Sequence, residues 1–235
     1  MKALIFDVDG TLAETEELHR RAFNQAFAQL GTKLGVGAWN WDAALYARLL
    51  GVTGGKERIL SYWAEVSPEI PSDAPDRARE IHKVKTAIYG GLIQDTSLRP
   101  GVMALIEEAF SQGQKLAIAT TTSPENVDVL LQNNMGSEWR KYFTVVEDAS
   151  TAAQKKPDPT VYLQAVSRLG LRPSDCLVFE DSAAGLEAAL RAGLRHVVVT
   201  PGTYTEHHSF SGAMKVLPNL DGVTLTKLAD WIAQA

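Results

Sequence analysis

The stretch that most restricts the fold lies at the start of the chain. Ala3-Leu4-Ile5-Phe6 is continuously apolar and runs directly into Asp7-Val8-Asp9-Gly10-Thr11-Leu12. A short unbroken apolar run of this kind predicts a strand buried on both faces of a parallel sheet. It ends in two carboxylates two residues apart, followed by glycine. Residues i and i+2 of a strand share a face, so Asp7 and Asp9 can approach one point. The carboxyl end of a buried strand is also where open α/β sheets place their ligands. Two neighbouring negative charges repel, and a divalent cation relieves that repulsion.

After Leu12 the apolar period changes from strand-like to helical. Leu18, Ala22, Phe23, Ala26, Phe27 and Leu30 recur at helical spacing, which predicts a helix over residues 14–30 closed by Gly31. A loop with Trp39 and Trp41 follows, then helical patterns over 41–50, 56–66 and 75–92. The breaks between them are Gly51-Val52-Thr53-Gly54-Gly55 and the Pro/Ser-rich residues 67–75. No strand pattern of comparable strength falls between residues 14 and 95. Strands and helices then alternate. Strands are expected at 115–120, 143–146, 176–180 and 195–199, with an edge strand at 215–217. Helices are expected from Gly101 to about Gln112, after the cap Ser123 with Pro124, from Asp158-Pro159 to about Leu169, over 183–192 ended by Gly193, and over 225–232. Such alternation implies right-handed crossovers and a parallel sheet with helices on both faces. The expected architecture is a three-layer, Rossmann-like α/β core of residues 1–14 and 95–235, interrupted by a helical cap domain over 15–94.

Composition removes several function classes. The chain has 235 residues, 45% of them hydrophobic and 22% charged, with a formal net charge of −5. A sizeable core is expected, and binding to nucleic acid or to an anionic membrane surface is not. No apolar run reaches the roughly 18 residues of a membrane span. Met1 leads straight into a strand, without a signal-peptide layout. The single cysteine, Cys176, has no internal disulfide partner and reads as a small buried residue. A reducing, cytosol-like compartment is expected, or the chloroplast stroma for a mature plastid protein.

Other polar groups cluster at further strand ends. The strand near residue 118 ends in Thr120-Thr121-Thr122-Ser123, and the strand near 178 ends in Glu180-Asp181-Ser182. Lys155-Lys156-Pro157 precedes a helix. Parallel strands align their carboxyl ends, so these groups can converge on Asp7 and Asp9. Hydroxyls, an ammonium and a second acidic pair suit a magnesium-dependent phosphoryl-transfer site. Gly55-Lys56 does not make a nucleotide loop, because Glu57 follows the lysine and Leu50 occupies the first glycine position. No spacing supports a zinc site at His207-His208. Trp39, Trp41 and Trp63 read as helical core.

Asp7-Val8-Asp9-Gly10-Thr11-Leu12, Thr120, Lys156-Pro157 and Glu180-Asp181 resemble, in this order, the four motifs of the haloacid-dehalogenase-like hydrolases. The resemblance covers the whole chain. Within that superfamily the chain is similar to sugar-phosphate phosphatases and β-phosphoglucomutases, and more so to the CbbY-type phosphatases. The closer likeness rests on residues 13–20, Thr53-Gly54-Gly55-Lys56-Glu57-Arg58, Thr120-Thr121-Thr122-Ser123 and Lys155-Lys156-Pro157. The resemblance implies the following roles. Asp7 is the nucleophile that forms an aspartyl-phosphate, and Asp9 is the acid and then the base. Mg²⁺ is held by the Asp7 side chain, the Asp9 backbone carbonyl and Asp181, with Glu180 behind them or as an occasional ligand. Thr120 and Lys156 hold the phosphoryl oxygens. The implied substrate is a small phosphosugar, xylulose 1,5-bisphosphate, an inhibitory by-product of Rubisco. A monomer is expected, although the sequence itself does not fix the oligomeric state.

In the cap, Glu16, His19, Lys56 and Arg58, with Lys85 behind them, are the candidates for substrate discrimination. Thr53, Gly54 and Gly55 form the loop around Lys56, and Thr121, Thr122 and Ser123 complete the substrate-binding set. Lys56 reads equally well as a solvated lysine at a helix start, and Arg58 and Lys85 as ordinary solvated charges. Cap closure with hinges near residues 13–16 and 94–98 is expected to exclude water. Three activities stay open at this level: a phosphatase, a β-phosphoglucomutase-type mutase, and a catalytically dead binding protein.

Overall fold

All four residues of β1 (Ala3–Phe6) are completely buried, as a strand covered on both faces requires. The computed structural model describes residues 1–235 apart from Pro68, Ala153 and Ala235, and for Asp95 the backbone alone. The chain divides into two compact units. One comprises Met1–Glu14 and Thr96–Ala235, the other Thr15–Asp95.

The first unit is built on a six-stranded parallel sheet. Its strands are β1, β2 (Lys115–Ala119), β3 (Val145–Glu147), β4 (Cys176–Glu180), β5 (His196–Val199) and the short edge strand β6 (Lys215–Val216). The spatial order is β3-β2-β1-β4-β5-β6. The order reverses direction beside β1, which makes its carboxyl end a topological switch point. Phe6 stands opposite Ile118 on one side and Phe179 on the other. Asp7 therefore leaves the sheet level with Glu180 on the neighbouring strand.

Helices fill the outer layers: α5 (Val102–Ser111), α6 (Pro124–Met135), α7 (Thr160–Leu169), α8 (Ala183–Arg191) and α9 (Leu225–Ala233). Strand alternation sends Ala3, Ile5, Ala117, Cys176, Val178, Val197 and Val199 to one face. There they pack with Tyr162, Ala165 and Val166 of α7 and Leu186 and Ala189 of α8. Leu4, Phe6, Leu116, Ile118, Leu177 and Phe179 point the other way and are equally buried, with the Phe6 and Phe179 rings stacked at 4.7 Å. Burying one such side chain contributes about 1.5–3 kcal/mol, so a charge placed at Phe179 would break this layer. Ser123 caps α6 and Ser182 caps α8, each accepting from the backbone N–H three residues on.

The second unit is helical: α1 (Glu16–Leu34), α2 (Ala43–Leu49), α3 (Gly55–Val66) and α4 (Ala74–Leu92). Among its described residues no strand forms. Pro68, inside the expected 67–75 break, lies outside the described residues. Phe23, Phe27, Trp39, Trp41, Tyr46, Tyr62 and Trp63 form an aromatic core, with the Trp39 ring edge-on to Phe27, Tyr62 and Trp63. The expected stop at Gly31 is corrected. α1 continues to Leu34, and Gly35, at φ 75°, ends it. Gly31 serves a close approach instead, because a Cβ there would overlap the backbone of Gly37. The strand expected at 143–146 forms later, at Val145–Glu147, because Trp139–Tyr142 takes a 3₁₀ turn. Among the described residues no helix is long and apolar enough to cross a membrane.

Candidate active site

The loop after β1 is fixed by its own backbone. The N–H groups of Thr11 and Leu12 both donate to Val8 O, and Gly10 N donates to Ala13 O. Gly10 has a φ of 81°, and a Cβ there would collide with the Asp181 carboxylate. Glycine at this position thus lets the loop lie against the end of β4.

Four charged side chains from three places in the sequence meet at the carboxyl ends of β1 and β4. Carboxylate oxygens of Asp7, Glu180 and Asp181 lie within 4.8 Å of one another, and all three residues are buried. The Lys156 ammonium donates to Asp7 Oδ1 and to Glu180 Oε1, each at 2.6 Å. Lys156 is joined to Pro157 by a cis peptide bond. Its neighbour Lys155 turns elsewhere and donates to Thr121 O at 2.8 Å.

Glu180 has no exposed surface, and its lone pairs are heavily used. Besides Lys156, it accepts from the Tyr162 hydroxyl and from Asp181 N at 3.2 Å. The Tyr162 ring also lies 4.9 Å from the Lys156 ammonium. Gly185 makes room for the Glu180 carboxylate, which a Cβ there would strike. On the far side, Asp181 Oδ2 stands 3.3 Å from the Thr205 hydroxyl, which in turn accepts from Gly202 N.

The electrostatics are unbalanced. Three buried carboxylates face one buried ammonium, with half-buried Asp9 adjacent. Burial pushes the Asp7 carboxyl up to about 7; Glu180 and Asp9 add to that rise and Lys156 opposes it. Burial by itself would lower the Lys156 ammonium, but Asp7 and Glu180 outweigh it and hold the group above its usual range. This surplus of carboxylate oxygen suits a hard divalent cation, which the Asp7 and Asp181 side chains could hold. Glu180 is the least suited of the three, because Lys156 and Tyr162 already occupy it.

Thr120 lies one residue past β2 and is buried. Its N–H donates to Glu147 O at 3.0 Å, and its hydroxyl accepts from Thr122 N at 3.3 Å. Thr121, Thr122 and Ser123 follow it, half-buried, into α6. The sequence-predicted residues of the second unit fall into three groups. Glu16 accepts from the Tyr46 hydroxyl at 2.8 Å, and Arg58 donates to that same hydroxyl and to Leu49 O, each at 3.1 Å. The Lys85 ammonium lies 2.5 Å from His19 Nδ1, over the rings of Phe23 and Tyr89. Thr53, Gly54 and Gly55 lead into α3, where Lys56 is exposed. The reading of Arg58 and Lys85 as solvated charges is corrected: both are buried, Arg58 over the Tyr46 ring and Lys85 over those of Phe23 and Tyr89.

Tyr162 and Thr205 escaped the sequence reading. A buried tyrosine on the apolar face of a helix needs a partner for its hydroxyl, which was the one available signal for Tyr162. Nothing local marks Thr205.

The haloacid dehalogenase-like hydrolase profile matches residues 1–193. CbbY of Cupriavidus necator is 50% identical over 228 residues, covering 94% of this chain and 86% of that protein. CbbY of Rhodobacter capsulatus is 47% identical over 222 residues, 94% of each chain. The crystal structure of a variant CbbY from Rhodobacter sphaeroides in complex with xylulose-(1,5)bisphosphate superposes with a TM-score of 0.88 at 42% identity, covering 97% of this chain and 99% of that one. The chain belongs to the haloacid dehalogenase-like hydrolases and, within them, to the CbbY group of sugar-phosphate phosphatases.

Proposed function

We propose that the enzyme removes one phosphate from xylulose 1,5-bisphosphate, leaving xylulose 5-phosphate, in a Mg²⁺-dependent reaction through an aspartyl-phosphate on Asp7. The observation that carries this reading is the convergence of Asp7, Lys156, Glu180 and Asp181 at the switch point of the sheet. The likeness to a CbbY bound to that bisphosphate supports the choice of substrate.

The chain's own groups divide the work as follows. A carboxylate oxygen of Asp7 attacks phosphorus, and the bond to the sugar oxygen breaks. Asp9, less buried than Asp7, gives its proton to the leaving oxygen. It then takes a proton from the water that attacks the phosphorus of the aspartyl-phosphate, which releases phosphate and restores Asp7. Lys156 offsets negative charge on the transferring group and keeps Asp7 oriented; the Thr120 hydroxyl is a donor for a phosphoryl oxygen. Asp7, the Asp9 carbonyl and Asp181 would hold Mg²⁺, which when bound would neutralise charge on the phosphoryl oxygens. In the second unit, Lys56 is an exposed cation, beside two glycines, suited to the remote anionic end of a bisphosphate, and Glu16 is an acceptor for sugar hydroxyls.

Phosphate release from xylulose 1,5-bisphosphate, with and without Mg²⁺, tests the reading. Wild-type protein releases phosphate and the Asp7→Asn variant does not. Equal release by that variant rules out Asp7 as nucleophile. Conversion of β-glucose 1-phosphate to glucose 6-phosphate with little free phosphate would instead make the enzyme a mutase.

A further inference from the structure

Arg99 lies outside the motifs at Asp7–Leu12, Thr120, Lys156-Pro157 and Glu180-Asp181, yet its guanidinium makes four hydrogen bonds. It is buried, and it meets four backbone carbonyls from three segments of the first unit. One of its terminal nitrogens, Nη1, donates both to Gly10 O and to Thr200 O, the latter at 2.6 Å. The other, Nη2, donates to Pro201 O and Pro218 O, each at 2.9 Å. Its own backbone N–H donates to Leu12 O at 2.8 Å. The nearest counter-charge, Glu14, lies 3.5 Å away and is largely exposed. Carbonyl dipoles therefore do most of the work of replacing water around a buried charge.

Two of the three segments it joins touch Asp181. Gly10 packs directly against the Asp181 carboxylate. The turn that begins at Thr200 carries Thr205, whose hydroxyl stands 3.3 Å from Asp181 Oδ2. We propose that Arg99 is a positioning residue for the cation site: by clamping Gly10 O to Thr200 O through one nitrogen, it fixes the two loops that hold Asp181 and the Asp9 backbone in place. This inference rests on reading Asp7 and Asp181 as holders of a divalent cation. A planar fork of two nitrogens meets four carbonyls at once. Lysine would keep the charge and its one nitrogen carries three donors, but it has no rigid fork to hold all four carbonyls in fixed positions, so it cannot replace the clamp.

The test is Mg²⁺ titration calorimetry on the full-length wild type and on Arg99→Lys, with thermal melting alongside. Groups that orient metal ligands typically contribute about tenfold to a hundredfold in metal affinity. The expected result is Mg²⁺ binding weakened at least about tenfold in an Arg99→Lys protein that is folded at the titration temperature. Added guanidinium should partly restore binding in Arg99→Ala. A purely structural arginine would lower the melting temperature and leave the Mg²⁺ Kd unchanged, and that outcome overturns the proposal. If Arg99→Lys does not fold, Arg99→Gln takes its place; failure of both to fold overturns it as well. Absence of Mg²⁺ binding by the wild type removes the cation reading itself, and the role of Arg99 with it.

Discussion

The Lys156 ammonium lies 2.6 Å from Asp7 Oδ1 and 2.6 Å from Glu180 Oε1, so one buried cation is shared by two buried carboxylates on adjacent strands. Removing it leaves both acids without a counter-ion in a site shielded from water. Lys156→Ala should therefore destabilise the protein by about 3–5 kcal/mol. It should also cut kcat by about a hundredfold or more, because charge on the transferring phosphoryl group loses its partner. Lys155→Ala, one residue away, should do neither, since that ammonium serves the Thr121 carbonyl. Urea unfolding and steady-state kinetics on both variants decide the matter. Equal losses in the two would mean that the buried pairing does not set function.

Tyr162 acts on the same ammonium at one remove. Its hydroxyl donates to Glu180 Oε1, the oxygen that also accepts from Lys156. Burial, with Glu180 adding to it, holds the phenol well above its usual range, so the proton stays on oxygen and remains available to donate. Tyr162→Phe keeps the ring beside Lys156 but removes a hydrogen bond to a charged acceptor. It should cost about 1.5–3 kcal/mol of stability. The measurement is the denaturation midpoint at neutral pH; an unchanged midpoint would show that Glu180 is satisfied without the tyrosine.

The raised Asp7 carboxyl has a signed consequence. In the unfolded chain it titrates near 3.8, in the folded metal-free protein near 7. Between those values the folded state holds a proton that the unfolded state has lost. This group's contribution to stability therefore falls as pH rises from about 4 to about 7. A divalent cation needs the ionised form, so below about pH 7 its binding should expel a proton, and above that it should not. Calorimetry of Mg²⁺ binding in buffers of different ionisation enthalpy reads the proton count directly. A count of zero at about pH 6 would contradict the assignment of Asp7 as a ligand.

Cys176 carries the opposite kind of expectation, inertness. It is buried in the face packed by α7 and α8, and burial pushes its thiol up to about 11 from an ordinary value of 9.0. The native thiol should resist a thiolate-directed reagent at about pH 8 and react once the chain is unfolded. Because the folded state keeps its proton longer, this group's stability contribution declines as pH rises from about 9 towards 11. Rapid labelling of the native protein would show that the strand opens locally.

The residues that were legible in the sequence share a physical trait: their signal is local. Ala3–Phe6 is apolar throughout because both faces of the strand are covered, and Asp7 follows where the sheet ends. Ser123 and Ser182 sit at helix starts because the cap chemistry lies within three residues. Other features depend on neighbours far away in the chain. Gly31 offers the sequence no way to tell a helix stop from a close approach to Gly37. Arg58 and Lys85 look like solvated charges until Tyr46, Phe23 and Tyr89 are folded around them. The bond from Tyr162 to Glu180 and the carbonyls gathered by Arg99 come from tertiary packing alone.

On the proposed reading, Lys56 serves substrate choice and takes no part in the chemistry. It is exposed at the start of α3, preceded by two glycines, while Arg58 and Lys85 are buried in their own unit. A bisphosphate carries a second anionic end that the reacting centre does not need, and an exposed ammonium beside glycine N–H groups is suited to it. Contacts made to a remote group assist only the substrates that possess it. Lys56→Ala should therefore lower kcat/KM on xylulose 1,5-bisphosphate by roughly tenfold to a hundredfold, the worth of one hydrogen bond to a charged group. The same variant should hydrolyse a generic aryl phosphate at close to the wild-type rate, because Asp7, Asp9 and Lys156 are untouched. Parallel kinetics on the two substrates supply the comparison. A uniform loss on both would place Lys56 in the common machinery, and no loss on either would make it a solvated lysine at a helix start.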